Sequence, residues 1–253
     1  MNVDILCARE IVSMQRAGRA AAATLASIAE RLVAGIGTAQ IDAWVRRDTA
    51  QRGGTPSQLG YQGFPCAVCT SRNDVVCHGI PSTRELLCDG DIINVDVTTE
   101  LDGFHGDTSA TFAIGAVSRE ASRLIDVARR CRDAGIAVVR ENARLGDIGA
   151  AIDELATKEG CSVVRELGGH GIGRRMHQPP HVSHVGVRGA GQRLRAGMAL
   201  TIEPMINAGG RQVRFLDDGW TVVTADGSLS AQFEHTVIVT REGCLVTTGT
   251  PEI

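Results

Sequence analysis

The order of secondary-structure signals in this chain is written twice, and that repeat restricts the folds open to it more than any other feature. Residues 8 to 33 carry Ile11, Met14, Leu25, Ile28 and Leu32 at helical spacing, closing at Gly35. Thr38 is then placed to cap a second helix with Ile41, Trp44 and Val45 inward, stopping at Gly53-Gly54. Strand-like runs follow at 67–70, 92–99 and 104–112. The same order recurs. Ser118 caps a helix reaching about Asn142 with Leu124, Val127 and Cys131 inward, and Gly146-Asp147 opens a shorter one carrying Ile148, Ile152 and Leu155, ended by Gly160. Strands are expected at 161–166, 198–206, 221–224 and 232–240. Aligning DGDIINVDV (89–97) with AGMALTIEP (196–204) sets Gly90 against Gly197 and Asp96 against Glu203. The expectation is an α+β fold built as one domain over 1–253, with pseudo-two-fold halves at about 5–115 and 116–248 and acids meeting at the junction, where ligand sites concentrate.

The first of those acids lies in NVDVTTELDGFHGDTS. Ile93, Val95 and Val97 alternate with Asn94, Asp96 and Thr98, the period-2 mark of a strand with one polar face. Asp102-Gly103 suits a two-residue type I′ turn, which needs positive φ at both central positions. Counting back from a Leu101–Phe104 pair sets Asp107 opposite Thr98 and diagonal to Asp96. Diagonal neighbours on one face lie about 7 to 8 Å apart, close enough for side chains to converge. Two like charges there destabilise a sheet unless something positive lies between them.

Other segments add groups of the same kind. LGGHGIGRRMH holds His170 among glycines that let backbone come close to a ligand, but it lacks the GK[ST] and the strand-turn-helix context of phosphate loops. Glu203 interrupts an apolar strand just before Pro204, and Glu234 stands among β-formers. Asp96, Asp107, His170, Glu203 and Glu234 thus make an oxygen-rich set with one imidazole. Four carboxylates sum to −4, which two divalent cations offset; ligation of this type suits Mn, Fe(II), Co or Zn better than a thiolate zinc site. A pair of such ions activates water for attack on a carbonyl.

The remaining composition narrows the classes. The chain of 253 residues is 43% apolar and 22% charged with net charge −3, giving no basic field for nucleic acid. Eight cysteines lack a disulfide-framework spacing, Asp4, Arg9 and Glu10 break any signal-peptide core, and no run is long enough to span a membrane. A cytoplasmic protein is expected. Cys66-Ala-Val-Cys69 has no second pair for structural zinc and opens no helix as redox pairs do. His105 is expected to form a surface pair with Glu100, and His181, His184 and His235 to be structural or exposed.

VVCHGIP, NVDVTTELDGFHGDTS, GGHGIGRRMHQPP, TIEPMI and SLSAQFEHTV, in this order and spacing, resemble the bacterial-type (type I) methionine aminopeptidases over about residues 5 to 248. The resemblance implies the pita-bread fold and hydrolytic, metal-dependent removal of an N-terminal initiator methionine, with a small second residue preferred. It implies two divalent metals (Co, Mn, Fe(II) or Zn) on Asp96, Asp107, His170, Glu203 and Glu234, with Asp107 and Glu234 bridging. It assigns catalytic assistance to His78 and His177, proton transfer to Glu203, and a methionine pocket to Tyr61, Phe64, Cys69 and Trp220. A monovalent cation, Na or K, would sit on backbone oxygens at Asn73, Val75 and Ser230. Departures fall at the pocket: Gln58 stands where many relatives have Cys, Phe64 where many have Tyr, and Met176 where many have Phe. The implied partners are N-termini of nascent polypeptides and the ribosome exit region, with no nucleic acid or membrane partner and a monomeric state. Two rivals share the fold: an Xaa-Pro aminopeptidase or dipeptidase, which generally carries a large N-terminal domain, and a metal-free binding protein, which should lack ligands. Met1 precedes bulky Asn2, so the same preference expects Met1 to be retained.

Overall fold

A computed structural model describes residues 3–249; Met1 and Asn2, on which the retention expectation falls, lie outside them. Helix α1 (Ala8–Ala29) and α2 (Thr38–Gln51) precede the hairpin formed by Ile92–Leu101 and Phe104–Ala113. Helix α3 (Arg119–Ala137) and α4 (Leu145–Lys158) precede Ala199–Ile202 and Glu234–Val239, which pair with one another. All strand pairings among the described residues are antiparallel.

One sheet runs through both halves. Thr55–Pro56, Ile92–Leu101, Phe104–Ala113, Glu234–Val239, Ala199–Ile202, Gly169–Gly171 and Gln178–Val182 lie side by side in that order, with Cys69–Arg72 also on Ile92–Leu101 and Cys244–Val246 on Glu234–Val239. The halves meet where Glu234 pairs with Ser109 and His235 with Thr108. That seam is reinforced by side chain to backbone bonds: the Thr236 hydroxyl accepts from Asp107 N–H at 3.0 Å and donates to Asp107 C=O at 2.8 Å.

The repeat reappears as matched geometry. Gly90 and Gly197 have φ of 92° and 89°, a region that favours glycine. Each donates its N–H to the far end of the partner strand, Gly90 to Ile114 C=O at 2.8 Å and Gly197 to Val239 C=O at 2.9 Å. Each half packs its helices on its own apolar layer. Leu25, Ile28, Ile41 and Val45 meet Ile93, Val95 and Val97, and Leu124, Val127, Ile148 and Ile152 meet Leu200, Ile202 and Val237. Burying one such side chain stabilises by about 1.5–3 kcal/mol, so these layers hold the helices against the sheet.

Several local expectations shift. Helix α1 ends at Ala29 and α3 at Ala137, a turn or so short of the sequence reading, because the chain bends there into turns before Gly35 and Asn142. Thr38 is the first helical residue and not the cap; its hydroxyl accepts from Ser82 N–H at 2.8 Å, tying the helix start to a distant loop. Strand 67–70 is displaced to Cys69–Arg72, and strand 161–166 shrinks to Ser162–Val163. The strands expected over 198–206 and 232–240 are each broken in two, at Glu203-Pro204 and at Phe233. There the chain leaves the large sheet for a small one in which Met205–Asn207 pairs with Ser230–Gln232. Pro204 has no N–H for a ladder, so the crossing falls beside it. Both breaks place a glutamate at the edge of a gap in the sheet.

Candidate metal centre and adjoining pocket

The hairpin delivers its two acids as the period-2 count requires. Asp102 and Gly103 have φ of 55° and 78°, and Thr98 pairs with Asp107 while Asp96 pairs with Ser109. The Thr98 hydroxyl donates to Asp107 Oδ1 at 2.7 Å. Glu203 comes from the break after Ala199–Ile202, where its Oε1 accepts from the Thr201 hydroxyl at 2.6 Å and its Oε2 from the Gln232 amide at 3.3 Å. Glu234 starts its strand at the seam, 2% exposed, and its Oε1 has no hydrogen-bond partner.

His170 reaches the same place from a strand flanked by glycine on both sides. A Cβ at Gly169 would strike the Thr201 carbonyl, and one at Gly171 the Pro179 carbonyl, so only glycine lets the neighbouring strands close around the imidazole. His170 Nδ1 lies 3.0 Å from Gly171 C=O. A carbonyl can only accept, so Nδ1 carries the proton and Nε2 is left with a free lone pair. That Nε2 stands 3.5 Å from Glu203 Oε1 and 3.7 Å from Asp107 Oδ2.

Electrostatics set the terms of this cluster. Burial, followed by the charges of the other acids, pushes Glu203 up to about 8 and raises Asp96 and Glu234 well above the carboxylate range. Burial raises Asp107 to about 7, against the pull of the Thr98 hydroxyl and the Thr108 N–H. Burial drives His170 down to about 3 and His177 to about 4. Alone, the site therefore resists being charged at all. Ligand atoms of Asp107, His170 and Glu234 lie within 4.8 Å of one another, the arrangement a cation would close. The unpartnered Glu234 oxygen and the free His170 lone pair fit a metal-binding group.

The five acid and imidazole groups line one open cavity together with His78, His177, Tyr61, Phe64, Cys69, Met176 and Trp220. Phe64 and Trp220 meet edge to face at 5.0 Å, and Tyr61 lies 5.0 Å from the His177 ring. His177 also packs against His170, with ring centroids 4.1 Å apart. His78 has φ of 56°, a conformation costly for a residue with a Cβ, and its ring stands 6.1 Å from Trp220. Cys69 pairs with Asp96 across two strands, and both it and Cys66 are free thiols, as are the other six cysteines.

Asn73, Val75 and Ser230 lie elsewhere, where the two small sheets adjoin: Val75 opens the strand Val75–Cys77 of one and Ser230 the strand Ser230–Gln232 of the other. Ser230 donates its N–H to Asn73 C=O at 2.9 Å. Asn207, directly opposite Ser230, has a buried Oδ1 with no partner, an oxygen suited to a small cation.

Sequence reasoning passed over several residues. Thr201 and Gln232 hold the Glu203 carboxylate, and each stands two positions before an acid, so the period-2 pattern could have pointed to them. His184, expected to be structural or exposed, is structural: it is 1% exposed and its Nε2 accepts from Glu203 N–H at 3.2 Å, a contact with no local signal in the sequence. His105 faces Glu100 across the hairpin but is half-buried, with Nδ1 2.8 Å from Ser57 Oγ, so it is not a surface pair; the departing strand at Ser57 covers it. His181 is exposed opposite His170, and the half-buried His235 Nδ1 lies 2.9 Å from Thr248 Oγ1.

Comparison with known proteins agrees with this geometry. The sequence model of Metallopeptidase family M24 matches residues 12–241. Methionine aminopeptidase A of Synechocystis sp. is 48% identical over 247 residues, covering 98% of both chains. Methionine aminopeptidase of Escherichia coli (strain K12) is 44% identical over 250 residues, covering 98% of this chain and 94% of that one. The crystal structure of methionine aminopeptidase from Rickettsia prowazekii superposes with a TM-score of 0.97 at 44% identity, over 98% of this chain and 100% of that one. The curled antiparallel sheet with its covering helices is the pita-bread fold.

Proposed function

The chain belongs to metallopeptidase family M24, and from that premise we propose that it removes the N-terminal methionine of proteins and peptides by metal-dependent hydrolysis, preferring a small second residue. The observation that carries the reading is the buried Asp107, His170 and Glu234 cluster opening onto an apolar pocket in the same cavity. The cluster would hold a metal, and the pocket beside it supplies selection for one side chain.

In this reading Asp96, Asp107, His170 Nε2, Glu203 and Glu234 would hold two divalent cations, Co, Mn, Fe(II) or Zn, whose charge would offset the acids and supply Lewis-acid chemistry to the carbonyl and to water. Tyr61, Phe64, Cys69 and Trp220 enclose the methionine side chain, and the Asp96 carboxylate receives the free α-amine. Neutral His177 hydrogen-bonds the methionine carbonyl, and neutral His78 the scissile amide; burial lowers the pKa of His78, while partial desolvation and the nearby His78 and His105 lower that of His177, which stays open to solvent. Once cations neutralise the neighbouring acids, an ionised Glu203 would take a proton from the attacking water and return it to the leaving amine nitrogen as the C–N bond breaks. The oxygens of Asn73, Val75 and Ser230 hold Na or K, as the orphaned Asn207 Oδ1 beside Ser230 supports. We place the protein in the cytoplasm as a single-domain monomer acting on nascent N-termini near the ribosome exit; no helix among the described residues is long and apolar enough to cross a membrane.

The deciding assay compares Met-Ala-Ser with an Ala-Pro peptide, with and without chelator. Metal-dependent release of methionine from the first alone is expected. Equal turnover after thorough demetallation, or cleavage of Ala-Pro alone, would overturn the proposal.

A further inference from the structure

The strand Ile92–Leu101 carries Asp96, yet its outer edge is covered in two separate pieces. Thr55–Pro56 pairs with Thr99 and Glu100, and Ser57 N–H still reaches Thr98 C=O at 2.9 Å. The chain then departs to form the turn that carries Tyr61 and Phe64, and pairing resumes only where Cys69 meets Asp96. Asp96 is the last residue paired with Cys69–Arg72 on that edge, and Thr98 N–H beyond it is left without a backbone partner.

Gln58, 7% exposed, fills the gap with its side chain. Its Nε2 donates to Asp96 C=O at 2.8 Å and lies 3.4 Å from Asp96 Oδ1, while its Oε1 accepts from Thr98 N–H at 3.1 Å. One primary amide therefore makes the acceptor contact to Thr98 N–H that a continuing strand would have made, and adds a second donor to Asp96 C=O beside the paired Cys69. It grips the backbone on either side of Val97, and the Thr98 hydroxyl passes that hold to Asp107. With both polar ends engaged, Gln58 can border the cavity without leaving a buried amide unsatisfied.

We propose that Gln58 is a positioning residue of the metal centre, a side-chain substitute for missing strand that aims the Asp96 carboxylate at a divalent cation. The proposal rests on the reading that Asp96 is a metal ligand. Residues that orient ligands in this way change metal affinity by about 10- to 100-fold when removed.

The test is calorimetric titration of the metal-stripped full-length protein with Mn(II), alongside hydrogen exchange at the Thr98 amide. Gln58→Met keeps the volume and removes both hydrogen bonds; Gln58→Ala is the second variant should the first fold poorly. Each is expected to bind Mn(II) about 10- to 100-fold more weakly than the parent and to exchange Thr98 N–H faster. Leu59→Ala, next to Gln58 but exposed and outside the cavity, keeps the parent affinity. Parent affinity in Gln58→Met, or an equal loss in Leu59→Ala, overturns the proposal. Parent affinity in Asp96→Ala instead overturns the assignment of Asp96 as a ligand, so the two failures are told apart.

Discussion

Thr98 and Asp107 face one another across the hairpin, and the Thr98 hydroxyl donates to Asp107 Oδ1 at 2.7 Å. This bond opposes the upward push of burial on the Asp107 carboxyl and favours its ionised form. Thr98→Val is nearly isosteric and removes it. A buried hydrogen bond to a charged group contributes about 1.5–3 kcal/mol, so Asp107 should titrate higher and Mn(II) affinity should fall roughly 10-fold or more near pH 7. Calorimetric titration at pH 6.5 and 8 checks this, with the larger loss expected at the lower pH.

Removing an acid should make the metal-free protein sturdier while disabling it. Asp107→Asn and Glu234→Gln each delete a carboxylate that the buried site resists ionising. In chelator at pH 8 both should melt at higher temperature than the parent, and added Mn(II) should stabilise the parent far more than either variant. Turnover of Met-Ala-Ser should fall to background. A variant that melts lower in chelator and still gains stability from Mn(II) would contradict the cluster's role.

The pH dependence of the metal-free protein follows from the same carboxyls. Asp107 and Glu203, raised to about 7 and about 8, bind protons in the folded state that the unfolded chain has released. Their contribution to stability is complete below the ordinary carboxylate pKa and is lost as pH rises through 7 and 8. Below about 6.5 the buried neutral His170 and His184 act the other way, because the unfolded chain takes up protons there and the folded state does not. Between pH 6.5 and 8, then, only the acids count, and the melting temperature in chelator should fall. With Mn(II) the trend should flatten or reverse, since ligation requires deprotonated groups and strengthens with pH.

Trp220 closes the pocket against Phe64 at 5.0 Å, edge to face. Burying a methionine side chain is worth about 1.5–3 kcal/mol, and part of that surface is Trp220. Trp220→Ala should lower kcat/KM for Met-Ala-Ser roughly 10- to 100-fold, mainly through KM, with Mn(II) affinity unchanged. Steady-state kinetics beside a metal titration separates this from damage to the metal centre.

How far the molecule was legible differs from part to part. The hairpin register was readable because an Asp-Gly turn and alternating valines leave one way to pair ten residues a side. The four helices were readable in place and type, less so at their ends, because turns before Gly35 and Asn142 compete with the last helical bonds. The breaks at Glu203 and Phe233 were not readable, although Pro204 hinted at the first, since continuous β-forming residues do not reveal which of two sheets they join. Of the groups that support the acids, Thr201 and Gln232 had a local signal in their two-residue spacing; Gln58 and His184 had none.

The sequence alone determined which faces are polar, where the turns fall, and that acids recur at matching points of two similar halves, because these depend on backbone sterics and side-chain period over a few residues. Tertiary structure decided that four carboxylates and one imidazole share a single cavity, since their meeting depends on the Glu234–Ser109 seam joining segments more than a hundred residues apart. It also decided the charge of those groups. Ionisation is governed by the solvent that surrounding atoms exclude and by the neighbours brought near, and neither exists until the two halves have closed on one another.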